Sequence, residues 1–94
     1  MQYKPPTPVE LERFKVELGK SSGEMADLFG LANGRQWRRY LSEDPANRRD
    51  MGMHMLFFAI ARLELDDKAI ERVLQRMRQV GAVIDLAQDG EPQP

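Results

Sequence analysis

Five arginines and no lysine lie between residues 33 and 49: Arg35, Arg38, Arg39, Arg48 and Arg49. A planar guanidinium presents two parallel donors, so arginine without lysine suits bidentate contact with guanine or phosphate. Gln36, set among them, carries the carboxamide that pairs with adenine, and each good bidentate base contact discriminates by about 1–3 kcal/mol. The same arginines also read as an ordinary solvated face that pairs locally with Glu43, Asp44 or Asp50 at little energetic gain. No other residues assemble a chemistry. His54 is the only histidine and the chain has no cysteine, so there is no recognisable metal-ligand set and no thiolate nucleophile. Met51, Met53 and Met55 read as core fillers, and Asp66 with Asp67 as a helix cap. Trp37 and Tyr40 suit the anchoring of a helix to a core better than a stacking platform for single-stranded bases. With no Ser-His-Asp arrangement and no glycine-rich phosphate loop, the sequence predicts neither an enzyme nor a cofactor.

The elements that must position these side chains are helices. Thr7-Pro8-Val9-Glu10 is a capping box with proline at the first helical position. Leu11, Phe14 and Leu18 then form one apolar stripe up to Gly19, which predicts a first helix over about residues 8–18. Ser21 and Glu24 repeat the box ahead of Met25, Leu28 and Phe29, with Gly30 as the stop. Asn33 and Gln36 open a third helix carrying Trp37, Tyr40 and Leu41, which the run up to Pro45 ends. Residues 50–63 are apolar on more than one face and predict a central helix. Asp66 and Asp67 cap a fifth, in which Ile70, Val73, Leu74, Met77 and Val80 keep the helical period up to Gly81. The expected fold is all-α, five helices around one core, with a flexible segment over 1–6, the domain over 7–81, an ambiguous arm over 82–87 and a disordered tail over 88–94.

Length and charge bound the rest. Ninety-four residues bury a modest core and leave little room for an enclosed active site. The net charge is −1, against a uniformly basic nucleic-acid coat or a polybasic membrane binder. By segment the balance changes: residues 1–32 carry net −1, residues 33–49 net +3 and residues 50–94 net −3. The longest apolar run, residues 51–61, is about half of what crosses a bilayer. No export signal is visible at the N-terminus. The reducing cytoplasm is the expected location, without membrane association.

The stretch from Ser22 to Leu31, with small Ala26, then Gly30 and apolar Leu31, followed by Arg35-Gln36-Trp37-Arg38-Arg39-Tyr40-Leu41, resembles the Xre-type, lambda-repressor-like DNA-binding domains. The resemblance spans about residues 7–80. It implies a helix-turn-helix formed by helices two and three, with Ala26, Gly30, Leu31, Trp37 and Leu41 as its structural residues. One departure is visible: the bulky apolar residue of the third helix stands eleven positions after Ala26, at Trp37, where the family pattern has ten. A turn lengthened by one residue at Ala32-Asn33-Gly34 accounts for it and leaves the register of base-contacting positions open. Under the resemblance, Gly34, Arg35, Gln36, Arg38 and Arg39 meet base edges, and Ser22, Arg48 and Arg49 meet phosphates.

A module of this size buries only about 600–1,000 Å² on DNA, so useful specificity calls for two half-sites and a homodimer. Two surfaces qualify: the fifth helix, which the sequence assigns first to the monomer core, and the arm through Val83, Ile84 and Leu86. The functional expectation is a regulator of phage or plasmid repressor type on double-stranded DNA. The rival expectation is a protein-protein interaction module that keeps the fold without binding DNA.

Overall fold

Thr7 Oγ1 accepts the Glu10 amide at 3.1 Å while Glu10 Oε1 accepts the Thr7 amide at 2.9 Å. This reciprocal cap starts helix α1, Pro8–Leu18, in the computed structural model, which describes residues 1–86. Ser21 and Glu24 form the same pair, at 3.1 and 2.8 Å, ahead of α2, Ser22–Leu28. Asn33 Oδ1 accepts the Gln36 amide at 3.0 Å and opens α3, Gly34–Leu41. Helix α4, Met53–Glu64, follows Gly52 without a side-chain cap. Helix α5, Asp67–Val80, follows Asp66, whose carboxylate accepts the Ala69 amide at 2.7 Å. The described residues contain no strand, so the fold is all-α with five helices. The tail expected over residues 88–94 lies outside the described residues, as does the last residue of the 82–87 arm.

The core is built on α3. Trp37 is wholly buried, tilted against Phe29 with ring centroids 5.1 Å apart, and Phe29 meets Phe14 of α1 edge to face at 6.5 Å. Leu11, Met25, Ala26, Leu28, Tyr40, Met51 and Ala59 complete this cluster, with Phe14, Leu18, Leu31, Leu41, Met55 and Leu56 packed around it. Helix α3 packs on both α1 and α2, and α5 packs on α4. A short, arginine-rich helix thus becomes central because the one tryptophan sits in it.

Three features of this packing depart from the sequence reading. Met51 is buried, yet it lies in the extended lead-in to α4, so the helix expected from about residue 50 begins at Met53. Helix α4 is not central: only Ala59 on it is fully buried, and Phe57 is 73% exposed. Helix α5 does not close the core with its whole apolar stripe; Leu74 alone is buried, while Val73, Met77 and Val80 are exposed. The physical reason is common to the last two. The cluster around Trp37 is filled mainly by α1, α2, α3 and Met51, with Ala59 as the one fully buried contribution of α4, which leaves α4 and α5 more apolar surface than the core can take.

The chain ahead of α1 has no regular secondary structure, but Tyr3 tethers it: the phenol hydroxyl donates to the Met51 carbonyl at 2.6 Å. Burial, with the Asp50 carboxylate nearby, holds the Tyr3 phenol above its ordinary range, so it remains a donor. No helix among the described residues is long and apolar enough to cross a membrane.

Candidate nucleic-acid interface

The connection between α2 and α3 is set by hydrogen bonding at Gly30. Its amide donates to the Asp27 carbonyl at 3.1 Å, and the Leu31 amide reaches back five residues to the Ala26 carbonyl at 2.7 Å. This is the Schellman pattern, and it needs the left-handed conformation that Gly30 adopts at φ 73°. Gln36 Oε1 accepts the amide of Ala32, four residues before it, at 3.0 Å. Asn33 and Gln36 together therefore satisfy donors on both sides of the α3 start.

Gly34, the first residue of α3, lies against the first turn of α2. A Cβ there would stand 3.2 Å from the Gly23 nitrogen and from Ser22 Cβ, and 3.3 Å from Arg38 Nη1. The two helix starts therefore meet through a position that has no side chain, and Ser22, Gly34 and Arg38 come together. For Gly34 this makes close approach of α2 its role in the fold. For Gln36 the carboxamide oxygen is engaged in capping, and its amide hydrogens are the part left to offer a base.

Trp37 and Tyr40 turn one side of α3 inward. Arg35 and Arg39, four residues apart, lie on the side away from them, and both are exposed with Arg38. Among the described residues no carboxylate pairs with Arg35, Arg38 or Arg39. Glu43 is exposed and pairs with none of them, and the other two local acids are engaged elsewhere: Asp44 Oδ1 accepts the Ala46 amide at 3.0 Å and Asp44 Oδ2 the Asn47 side chain at 2.9 Å. Asp50 meets Arg48 at 3.7 Å, with both side chains well exposed. The Arg49 amide donates to the Arg39 carbonyl at 3.2 Å, which holds the loop's arginines at the C-terminal end of α3. The structure thus brings Ser22 to the start of α3 and Arg49 to its end, and turns Arg48 toward Asp50.

The remaining residues singled out from the sequence sit as follows. Ala26 is buried and Leu31 and Leu41 are half-buried against the core. His54 is exposed, and the described residues hold no group of three acids or histidines suited to a metal. Val83 is fully exposed, while Ile84 and Leu86 are half-buried; Arg78 Nη2 donates to the Ile84 carbonyl at 3.0 Å and holds this segment to α5.

Sequence reasoning missed Arg62. Its Nη1 donates to the Asp27 and Leu28 carbonyls, each at 2.9 Å, and its guanidinium lies 5.4 Å from the Phe58 ring centroid. It places a positive charge on the C-terminal end of α2, where the helix dipole is negative, and so fixes α4 to the helix that α3 is packed on. The signal was present: Arg62 is the only charged residue between Met53 and Leu63.

Comparison of the chain with protein-family models, with curated proteins and with solved structures found no match.

Proposed function

We propose that the chain is a DNA-binding regulator that occupies operator DNA as a homodimer, with α2 and α3 acting as a helix-turn-helix and α3 as the reading helix. The observation that carries this reading is the group Arg35, Arg38 and Arg39, exposed on α3 and free of carboxylate partners among the described residues. A solvated structural face would let Glu43, Asp44 or Asp50 neutralise it; here Asp44 is spent on its own loop, Asp50 on Arg48, and the exposed Glu43 forms no ion pair with the three arginines. Unpaired guanidinium groups on one helix suit a polyanion, and their fork geometry suits base edges. The Schellman turn at Gly30, the close contact at Gly34 and the buried Trp37 support the helix-turn-helix reading. The acidic balance of residues 50–94 favours an orientation with the latter half of the chain away from the duplex.

Fluorescence anisotropy with random duplex DNA tests the reading. Binding is expected to weaken by roughly two decades between 50 and 200 mM salt if about four or five phosphates are engaged. Arg35→Ala with Arg39→Ala is expected to abolish it. No retention of duplex at low salt, together with no effect of the double variant, refutes DNA binding. In that case the rival, a protein-protein module that keeps the fold, is favoured by the exposed apolar side chains of α4 and α5. Where duplex is retained, selection of bound duplexes from a random pool gives the operator, since a palindrome reports dimer symmetry and half-site spacing together.

A further inference from the structure

Helix α5 carries an apolar seam that the molecule does not cover. Ile70, Val73, Met77 and Val80 follow one another at spacings of three, four and three, the pattern by which one helix packs along another. Ile70 is half-buried, but Val73 is 51% exposed, Met77 38% and Val80 81%. Leu74, on the neighbouring side of the helix, is the residue that binds α5 to the rest of the protein. Phe57 and Ile60 of α4, the helix against which α5 packs, are exposed as well. Such a seam on a soluble helix costs solubility unless something covers it.

The charges along α5 say what covers it. Around the start of α5, residues 64–71 hold Glu64 at the end of α4, the cap residue Asp66, and Asp67 and Glu71 of α5 against Lys68, while residues 72–80 hold Arg72, Arg76 and Arg78 and no acid. One opposite pair, Glu71 with Arg78 at 3.1 Å, is closed within the helix. A net excess of acid at one end and of base at the other remains. A second α5 laid antiparallel sets the acidic end beside the basic end twice over, whereas a parallel one sets like against like. A two-fold interface must be complementary to itself, and this helix is.

We infer that the α5 seam is the homodimer surface, two copies of the chain meeting antiparallel with Val73 at the two-fold axis, Ile70 of one copy beside Met77 of the other, and Val80 at the edge. The assignment supplies the dimer on which the operator-binding reading above rests, and it moves the interface from Val83, Ile84 and Leu86 to α5. The segment of Ile84 is already engaged, through its carbonyl, with Arg78.

The absence of cysteine from the chain makes the test direct. In an antiparallel pair centred on the helix, Val73 lies next to its own copy, while the two copies of Val80 stand about 20 Å apart at 1.5 Å per residue. A disulfide spans no more than about 7 Å between α-carbons. Val73→Cys is therefore expected to cross-link with itself on mild oxidation and Val80→Cys is not; equal cross-linking at both positions overturns the antiparallel arrangement. In sedimentation equilibrium without DNA, the wild-type chain is expected to show a concentration-dependent monomer–dimer equilibrium. Val73→Glu with Met77→Glu, both at exposed positions, is expected to weaken the dimer at least tenfold with the helical circular dichroism unchanged. Val83→Glu is expected to leave it unchanged. A wild-type chain that stays monomeric, or a dimer lost in Val83→Glu and kept in the α5 variant, overturns the assignment. These measurements contain no DNA, so they fail or succeed apart from the reading of α3.

Discussion

Glu10 and Glu24 each close a capping box, and each carboxylate is held below its ordinary range. The first cause is the backbone amide it accepts from, Thr7 in one case and Ser21 in the other, followed by the hydroxyl of the same residue. A carboxylate with a lowered folded-state pKa stabilises the fold above the unfolded value, 4.5 for these groups, and the contribution is lost as pH falls through the folded value. The melting temperature is therefore expected to drop on acidification from pH 5 toward pH 3. The Glu10→Gln, Glu24→Gln variant, which keeps the caps without the titration, should drop less over the same range; equal slopes would remove these two residues as the cause. Gly34 makes a different demand, since a side chain there must enter the space between the starts of α2 and α3. Gly34→Val should cost about 1–3 kcal/mol in urea denaturation, the usual range for overpacking a tight contact. The capping pairs were legible in the sequence because they depend on residues three apart. The contact of Gly34 with Ser22 was not, because it depends on how two helices cross.

Arg62 acts between elements. It joins α4 to the last carbonyls of α2, so the surface on which α3 packs is fixed by a residue more than twenty positions beyond α3 itself. Arg62→Met keeps an unbranched aliphatic stem and removes both hydrogen bonds together with the cation over the Phe58 ring. It is expected to destabilise the protein by about 1–3 kcal/mol in urea titration. A change below about 0.5 kcal/mol would show that α2 keeps its place without the clamp. Helix boundaries were well marked by Thr7, Ser21, Asn33 and Asp66, each of which does accept from the amide three residues on. The burial of α4 and α5 was misjudged for a physical reason. Periodicity reports that a face is apolar, and an apolar face can turn toward its own core or toward another molecule with the same pattern. Phe57 and Val73 are exposed for want of core to enter, and no feature of their local sequence distinguishes them from Phe29 or Leu74.

At the scale of the whole molecule, charge and packing are divided along the chain. The positive excess of residues 33–49 stands on a helix whose other side is the core, and the negative excess of residues 50–94 follows it. The +3 of residues 33–49 and the −3 of residues 50–94 cancel, and the net charge of −1 is what residues 1–32 add. The segment charges could be counted from composition alone; the absence of carboxylate partners for Arg35, Arg38 and Arg39 could not, because it turns on where Asp44 and Asp50 point. The core has one further consequence. Trp37 is the only tryptophan, it is wholly shielded from solvent, and Phe29 lies against its ring. Its emission is therefore a built-in optical gauge of whether the core is closed, selectively excited at 295 nm without any label. Unfolding in urea is expected to shift the emission to the red as water reaches the indole. Addition of duplex DNA at saturating concentration is expected to leave the wavelength in place, since the exposed arginines stand on the other side of α3; strong quenching would mean that the indole itself leaves the core to meet the bases.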